Sequence, residues 1–129
     1  MRTFKPEVQA LIEESIGRVA RGIAQAHGAT AEVRYKRGYP PTVNSEAETH
    51  HAGKVAAAVV GQGMVNPDVA PVMGSEDFAF MLEQRPGSYV WLGAGEDEPN
   101  LHSPHFDFND EILPIGASYW ARLVEETLR

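Results

Sequence analysis

Cysteine is absent from the 129 residues, which removes disulfide frameworks, cysteine-ligated zinc ribbons and thiol nucleophiles. Long apolar runs are missing as well, and none approaches the ~20 residues that a membrane-spanning helix needs. Basic side chains are scarce beside acidic ones, 11 against 18, leaving a formal net charge of −7. That balance works against a nucleic acid or an anionic membrane as partner, because either requires a basic face; it serves solubility instead. Met1-Arg2-Thr3-Phe4-Lys5-Pro6 lacks the apolar stretch of a signal peptide, so a cytoplasmic location is the expectation. Internal repeats and low-complexity segments are also missing.

What is present suits a soluble globular chain. Hydrophobic residues make up 43% of the sequence, enough for a real core at the length of one domain. After Pro6, Val8, Ile12, Ile16, Val19 and Ile23 recur at helical spacing and Gly28 closes the run, predicting a first helix with one apolar stripe. Residues 30–37 then alternate. Ala31, Val33 and Tyr35 fall on one face and Glu32, Arg34 and Lys36 on the other, which predicts a strand of a half-solvated sheet. Pro40 and Pro41 cannot donate to a ladder, and a boundary is placed between residues 38 and 46.

A second helix is expected from about Glu46 to Val60, with Ala47, His51, Val55, Ala58 and Val59 inward and Gly61 and Gly63 ending it. Ser75 is placed to cap a third helix, with Glu76 and Asp77 in its first turn and an end near Pro86-Gly87. Ser88 to Gly93 suits a buried strand. Pro114 opens a last helix whose packing face is expected to be Ile115, Ser118, Trp120, Leu123, Val124 and Leu128. Two helix–strand sets of different character on either side of the double proline suggest parts of two domains, and neither makes a complete sheet by itself. Arg2-Thr3-Phe4 reads as the tail of a strand that begins upstream.

Chemistry concentrates in the loop Asn100-Leu-His-Ser-Pro-His-Phe-Asp-Phe-Asn-Asp-Glu111. Imidazole is a common ligand for zinc-like metals, and a neighbouring carboxylate can orient it through its second nitrogen. His102 and His105 lie too close in sequence for both to reach one metal unless the loop curls. A polar loop with solvated histidines is the alternative, and spacing alone leaves both readings open. A calcium hand is excluded, because Ile112 stands where its glycine belongs. Gly93-Ala-Gly95-Glu-Asp-Glu98 lacks the third glycine of a dinucleotide fingerprint. Neither a nucleophile elbow nor a histidine-pair zinc helix occurs. Met73-Gly-Ser-Glu-Asp-Phe78 either caps an ordinary helix or brings backbone donors and Glu76 to a substrate or metal.

These segments, taken in order, carry a resemblance. Met1-Arg-Thr-Phe4, Arg37-Gly-Tyr-Pro-Pro-Thr-Val-Asn44, Met73-Gly-Ser-Glu-Asp-Phe78, Leu101-His-Ser-Pro104, Phe106-Asp-Phe-Asn-Asp110 and Leu113-Pro-Ile-Gly-Ala117 together resemble the C-terminal third of the hippurate hydrolase and N-acyl amino acid amidohydrolase family. The resemblance implies an α/β fold in two parts. Residues 1–43 would be the second half of a ferredoxin-like lid or dimerisation domain, and residues 44–129 the closing segment of a zinc-exopeptidase-like catalytic domain. It implies cleavage of an amide bond in N-acyl amino acids or small peptides, with two divalent metal ions per full-length enzyme: zinc, manganese, cobalt or nickel.

By the same resemblance His102 is the metal ligand, and Gly74, Ser75, Glu76, Asp77 and Asn44 lie near the substrate or behind the metal ligands. The family's other ligands and its general base come from upstream motifs that this sequence does not contain. The expectation is therefore a chain with no catalytic residue of its own and inactive in isolation. Its partners would be a small N-acyl amino acid and further copies of the protein, with neither nucleic acid nor membrane. The alternative is a non-catalytic module, derived from such an enzyme, that self-associates or binds another protein.

Overall fold

A computed structural model describes residues 1–95 and 99–128. Four α-helices span Pro6–Ala26 (α1), Glu46–Val60 (α2), Phe78–Leu82 (α3) and Leu113–Thr127 (α4), with 3-10 turns at Gln62–Met64 and Asp110–Ile112. The chain divides into two compact units. One comprises Met1–Val43 with Pro71–Arg85, the other Asn44–Ala70 with the residues from Pro86 onward. No helix among the described residues is long and apolar enough to cross a membrane.

In the first unit, α1 begins on Pro6, where a missing N–H costs nothing. It ends in a paired cap: the Ala29 amide donates to the Ala24 carbonyl at 2.8 Å and the Gly28 amide to Gln25 at 3.0 Å. That cap requires a left-handed residue between them, and Gly28 supplies it at φ 68°. The shielded face of α1 differs from the expected one. Gly17 is its buried residue, partly under the Arg21 guanidinium, and Gln9, Glu13, Ala20 and Ala24 are half-buried in line with it. Val8, Ile16, Val19 and Ile23 stay 38–59% exposed, so most of the apolar stripe predicted to pack inward faces out. Arg37 reaches Glu13 at 2.6 Å, on the shielded side.

Residues 31–36 keep their alternation, with Ala31, Val33 and Tyr35 half-buried and Glu32, Arg34 and Lys36 exposed. Yet among the described residues no strand forms, here or at Ser88–Gly93. Both expected strands are corrected for one reason: a strand exists only on a ladder with a neighbouring strand, and among the described residues neither segment forms one.

The third helix also differs. It starts at Phe78, not at a Ser75 cap, and ends at Leu82, short of Pro86-Gly87. The Glu76 carboxylate accepts from the Phe78 amide at 3.3 Å, and Asp77, at the helix start, makes no side-chain cap. Around it Ala79 is fully buried, Tyr39 meets Phe80 edge-on at 5.7 Å, and the Arg2 guanidinium donates to the Met73 carbonyl. A small apolar cleft of about 200 Å³ opens between Phe4, Pro40, Pro41, Val43 and Leu82.

The second unit is held by α2 against α4. Val55 is 0% exposed and Ala52 5%, and these are its buried apolar side chains among the described residues. His51 and Val59 are half-buried, whereas Ala47 and Ala58, also expected inside, are exposed. On α4 the shielded side runs through Ile115, Tyr119, Leu123 and Glu126. Trp120, Val124 and Leu128, expected inward, are 62%, 54% and 80% exposed. Burial pushes the Tyr119 phenol above its ordinary pKa.

With so few buried side chains, each counts. Val55→Ala removes two methyl groups from a site with no exposure and is expected to cost about 2 kcal/mol. A fall of about 6–10 °C in the thermal midpoint is the result that checks it. An unchanged midpoint would show that the α2–α4 contact does not support the fold.

Candidate metal and substrate site

The segment that leads from Ala94 to α4 is built from short turns. The Ser103 amide donates to the Asn100 carbonyl at 2.9 Å, closing a β-turn with Leu101 and His102 at its corner. His102 has φ 71° and is the non-glycine residue with positive φ among those described. A negative φ at Leu101 followed by a positive one is the type II pattern, whose third position favours glycine or asparagine. Histidine there costs of order 1 kcal/mol, and such strain persists only where surrounding structure enforces it. The enforcement is visible. The next turn follows at once, with the Phe106 amide on the Ser103 carbonyl at 3.1 Å and the His105 amide on Ser103 Oγ at 3.2 Å.

Asn109 ends the segment. Its Nδ2 donates to the Ala94 carbonyl at 2.8 Å, and its Oδ1 accepts from the Glu111 amide at 3.0 Å, capping the 3-10 turn that runs into α4. In the sequence Asn109 stands with Asp107 and Glu111 in the alternation of a calcium loop, not as a cap. An asparagine shortly before a proline-led helix is the signal that marks such a cap.

His102 and His105 are both exposed, and no hydrogen bond occupies the His102 imidazole among the described residues. Asn44 lies in the same unit, but its side chain is engaged locally: Nδ2 donates to the Tyr89 carbonyl and Oδ1 accepts from the Tyr89 amide, both at 2.8 Å. Gly74, Ser75, Glu76 and Asp77 belong to the other compact unit. There Glu76 is half-buried and the remaining three are exposed.

An exposed imidazole on a braced turn suits one position in a metal's coordination shell. Among the described residues, however, no group of three His, Cys, Asp or Glu side chains gathers to hold a metal. Residues 96–98 of the glycine-rich run before the turn lie outside the described residues.

Residues 2–126 match peptidase family M20/M25/M40. The chain is 36% identical to the N-acetylcysteine deacetylase of Bacillus subtilis (strain 168), covering 100% of this chain and 34% of that protein. It is 32% identical to the hippurate hydrolase of Campylobacter jejuni, covering 100% of this chain and 33% of that one. A crystal structure of the Bacillus subtilis YxeP protein, described as a dinuclear metal binding peptidase from the M20 family, matches with a TM-score of 0.79 at 34% identity. That match covers 98% of this chain and 34% of YxeP.

The chain belongs to peptidase family M20/M25/M40. It spans about a third of the length of the curated relatives it matches.

Proposed function

We propose that this chain is the closing part of a hippurate-hydrolase-type amidohydrolase, which splits an N-acyl amino acid or small peptide into a carboxylic acid and an amine. Residues 1–43 then serve as the second half of a ferredoxin-like lid and residues 44–129 as the last segment of the catalytic domain. The observation that carries the reading is His102, an exposed imidazole held at φ 71° on a turn that glycine would fill with less strain. Relatives named for hippurate hydrolysis and N-acetylcysteine deacetylation, together with a dinuclear metal binding neighbour, support the same chemistry.

In this reading His102 contributes one nitrogen to a pair of divalent ions (zinc, manganese, cobalt or nickel). Bound there, such ions would supply Lewis acidity toward an amide carbonyl and a water. Gly74, Ser75 and Asp77 present exposed polar groups for the substrate, and Glu76 is held through its contact with the Phe78 amide. Asn44 contributes chiefly by fixing the backbone at Tyr89. A catalytic metal takes about three protein ligands and an open position, so residues 1–129 need donors from elsewhere. The protein is read as a cytoplasmic homo-oligomer.

The test compares two samples. The complete gene product, loaded with each of the four metals in turn, is expected to release amine from hippurate or N-acetyl amino acids and to stop on chelation. Residues 1–129 alone are expected to release none. Turnover by those residues alone, or turnover indifferent to chelation, overturns the proposal. A second reading, a non-catalytic association module, rests on the open apolar stripe of α1. A complete gene product that binds no metal but assembles through α1 would favour it.

A further inference from the structure

Ala94 precedes the turn that bears His102, Asn109 follows it, and one side chain joins the two. Asn109 Nδ2 holds the Ala94 carbonyl at 2.8 Å while Oδ1 holds the Glu111 amide at 3.0 Å. Its own carbonyl accepts from the Ile112 amide at 3.2 Å, which locks it to the first turn before α4. Asn109 is half-buried, so water competes poorly for these bonds. Ala94 and Asn109 are thereby tied to α4, which packs on α2 through the core of the unit.

From this geometry we infer that Asn109 is a positioning residue for His102: its carboxamide ties the chain after the His102 turn to Ala94 and so fixes where the imidazole stands. The inference rests on the reading of His102 as a metal ligand. The turns at Asn100–Ser103 and Ser103–Phe106 fix the local shape around His102, but they do not fix where that shape sits on the protein. A metal site tolerates about 0.5 Å of error in its ligands, so the place of the turn has to be fixed as well as its shape. The Asn109–Ala94 contact fixes that place. If that contact breaks, the ligand-competent population falls, and apparent metal affinity falls by the same fraction.

The two halves of the carboxamide can be separated. Asn109→Asp keeps an oxygen for the Glu111 amide, and with it the cap before α4, but it replaces the donor to Ala94 with a second acceptor. A negative charge at that helix start is also favourable, so the variant does not weaken α4. Cobalt(II) affinity of the complete gene product, read by visible absorption, is expected to fall about tenfold in Asn109→Asp. Its helical circular dichroism and thermal midpoint are expected to match wild type, and backbone amides of residues 101–106 to exchange with solvent at least about tenfold faster.

A purely structural Asn109 predicts another pattern, with affinity unchanged or falling only together with the thermal midpoint. Either result overturns the inference, and so does loss of helix content. His102→Ala measured beside it separates the two levels. Unchanged cobalt(II) affinity in His102→Ala means that the ligand reading has failed. Lost affinity in His102→Ala with normal affinity in Asn109→Asp means that only the positioning role has failed.

Discussion

Replacing His102 by alanine in the complete gene product is expected to lower divalent-metal affinity by more than about 100-fold, and amide hydrolysis with it. His105→Ala should leave both within about threefold. The first magnitude follows from the ten- to hundred-fold cost of disturbing a residue behind a ligand, which loss of the ligand itself must exceed. The contrast follows from the backbone. His102 occupies the left-handed corner of its turn at a cost in stability, whereas His105 sits in the next turn, its amide held by Ser103 Oγ and its backbone unstrained. Glycine at 102 separates backbone from imidazole. His102→Gly should bind metal as poorly as His102→Ala yet be more stable by about 0.5–1 kcal/mol, because glycine adopts positive φ freely. Comparable losses of metal from the His102 and His105 variants would mean that the ligand has been misassigned.

Residues 1–129 alone, at tens of micromolar, are expected to sediment as dimers or larger species, and the double substitution Val19→Lys with Ile23→Lys is expected to weaken that association at least about tenfold. Val8, Leu11, Ile16, Val19 and Ile23 stand 38–62% exposed along α1 among the described residues. Burying the exposed part of such a side chain contributes about 1 kcal/mol, and a row of five approaches what micromolar association requires. Charges placed in the middle of the row must be desolvated, which reverses the gain. Sedimentation of the unsubstituted residues as a monomer at that concentration would sink this prediction.

Helix positions were legible in the sequence where the punctuation is chemical. Pro6, Gly28, Gly61 and Pro114 mark the ends of α1, α2 and α4 through φ restriction, left-handed geometry and missing donors, all properties of single residues. Burial was less legible. The period of the α1 stripe shows which side chains are apolar, but whether they meet anything depends on segments far away in sequence. Gly17, with no side chain to announce it, is the position that becomes buried.

The same non-locality explains the strands. Alternation at 31–36 reports a two-faced segment, while pairing needs a partner that no described residue supplies. At the site, the Leu-His-Ser-Pro segment drew attention to His102 through resemblance. Its left-handed backbone was not foreseeable, because histidine has no strong preference for that region. The start of α3 was misplaced because a capping serine and a competing carboxylate stand side by side at Ser75 and Glu76, and sequence does not rank them.

The pairing around Tyr89 limits how any larger sheet can be ordered. Gly87 and Tyr89, two apart, both direct amide and carbonyl toward the start of α2: Gly87 exchanges bonds with Ser45, and Tyr89 with the Asn44 carboxamide. In an extended run, alternate residues present their main-chain groups to the same edge, so that edge is already filled at this level. In such a run the main-chain groups of residues 88 and 90 would face the other edge. A neighbouring strand can therefore dock along residues 88–90 from one flank only, and there the polypeptide forms the rim of whatever sheet it joins.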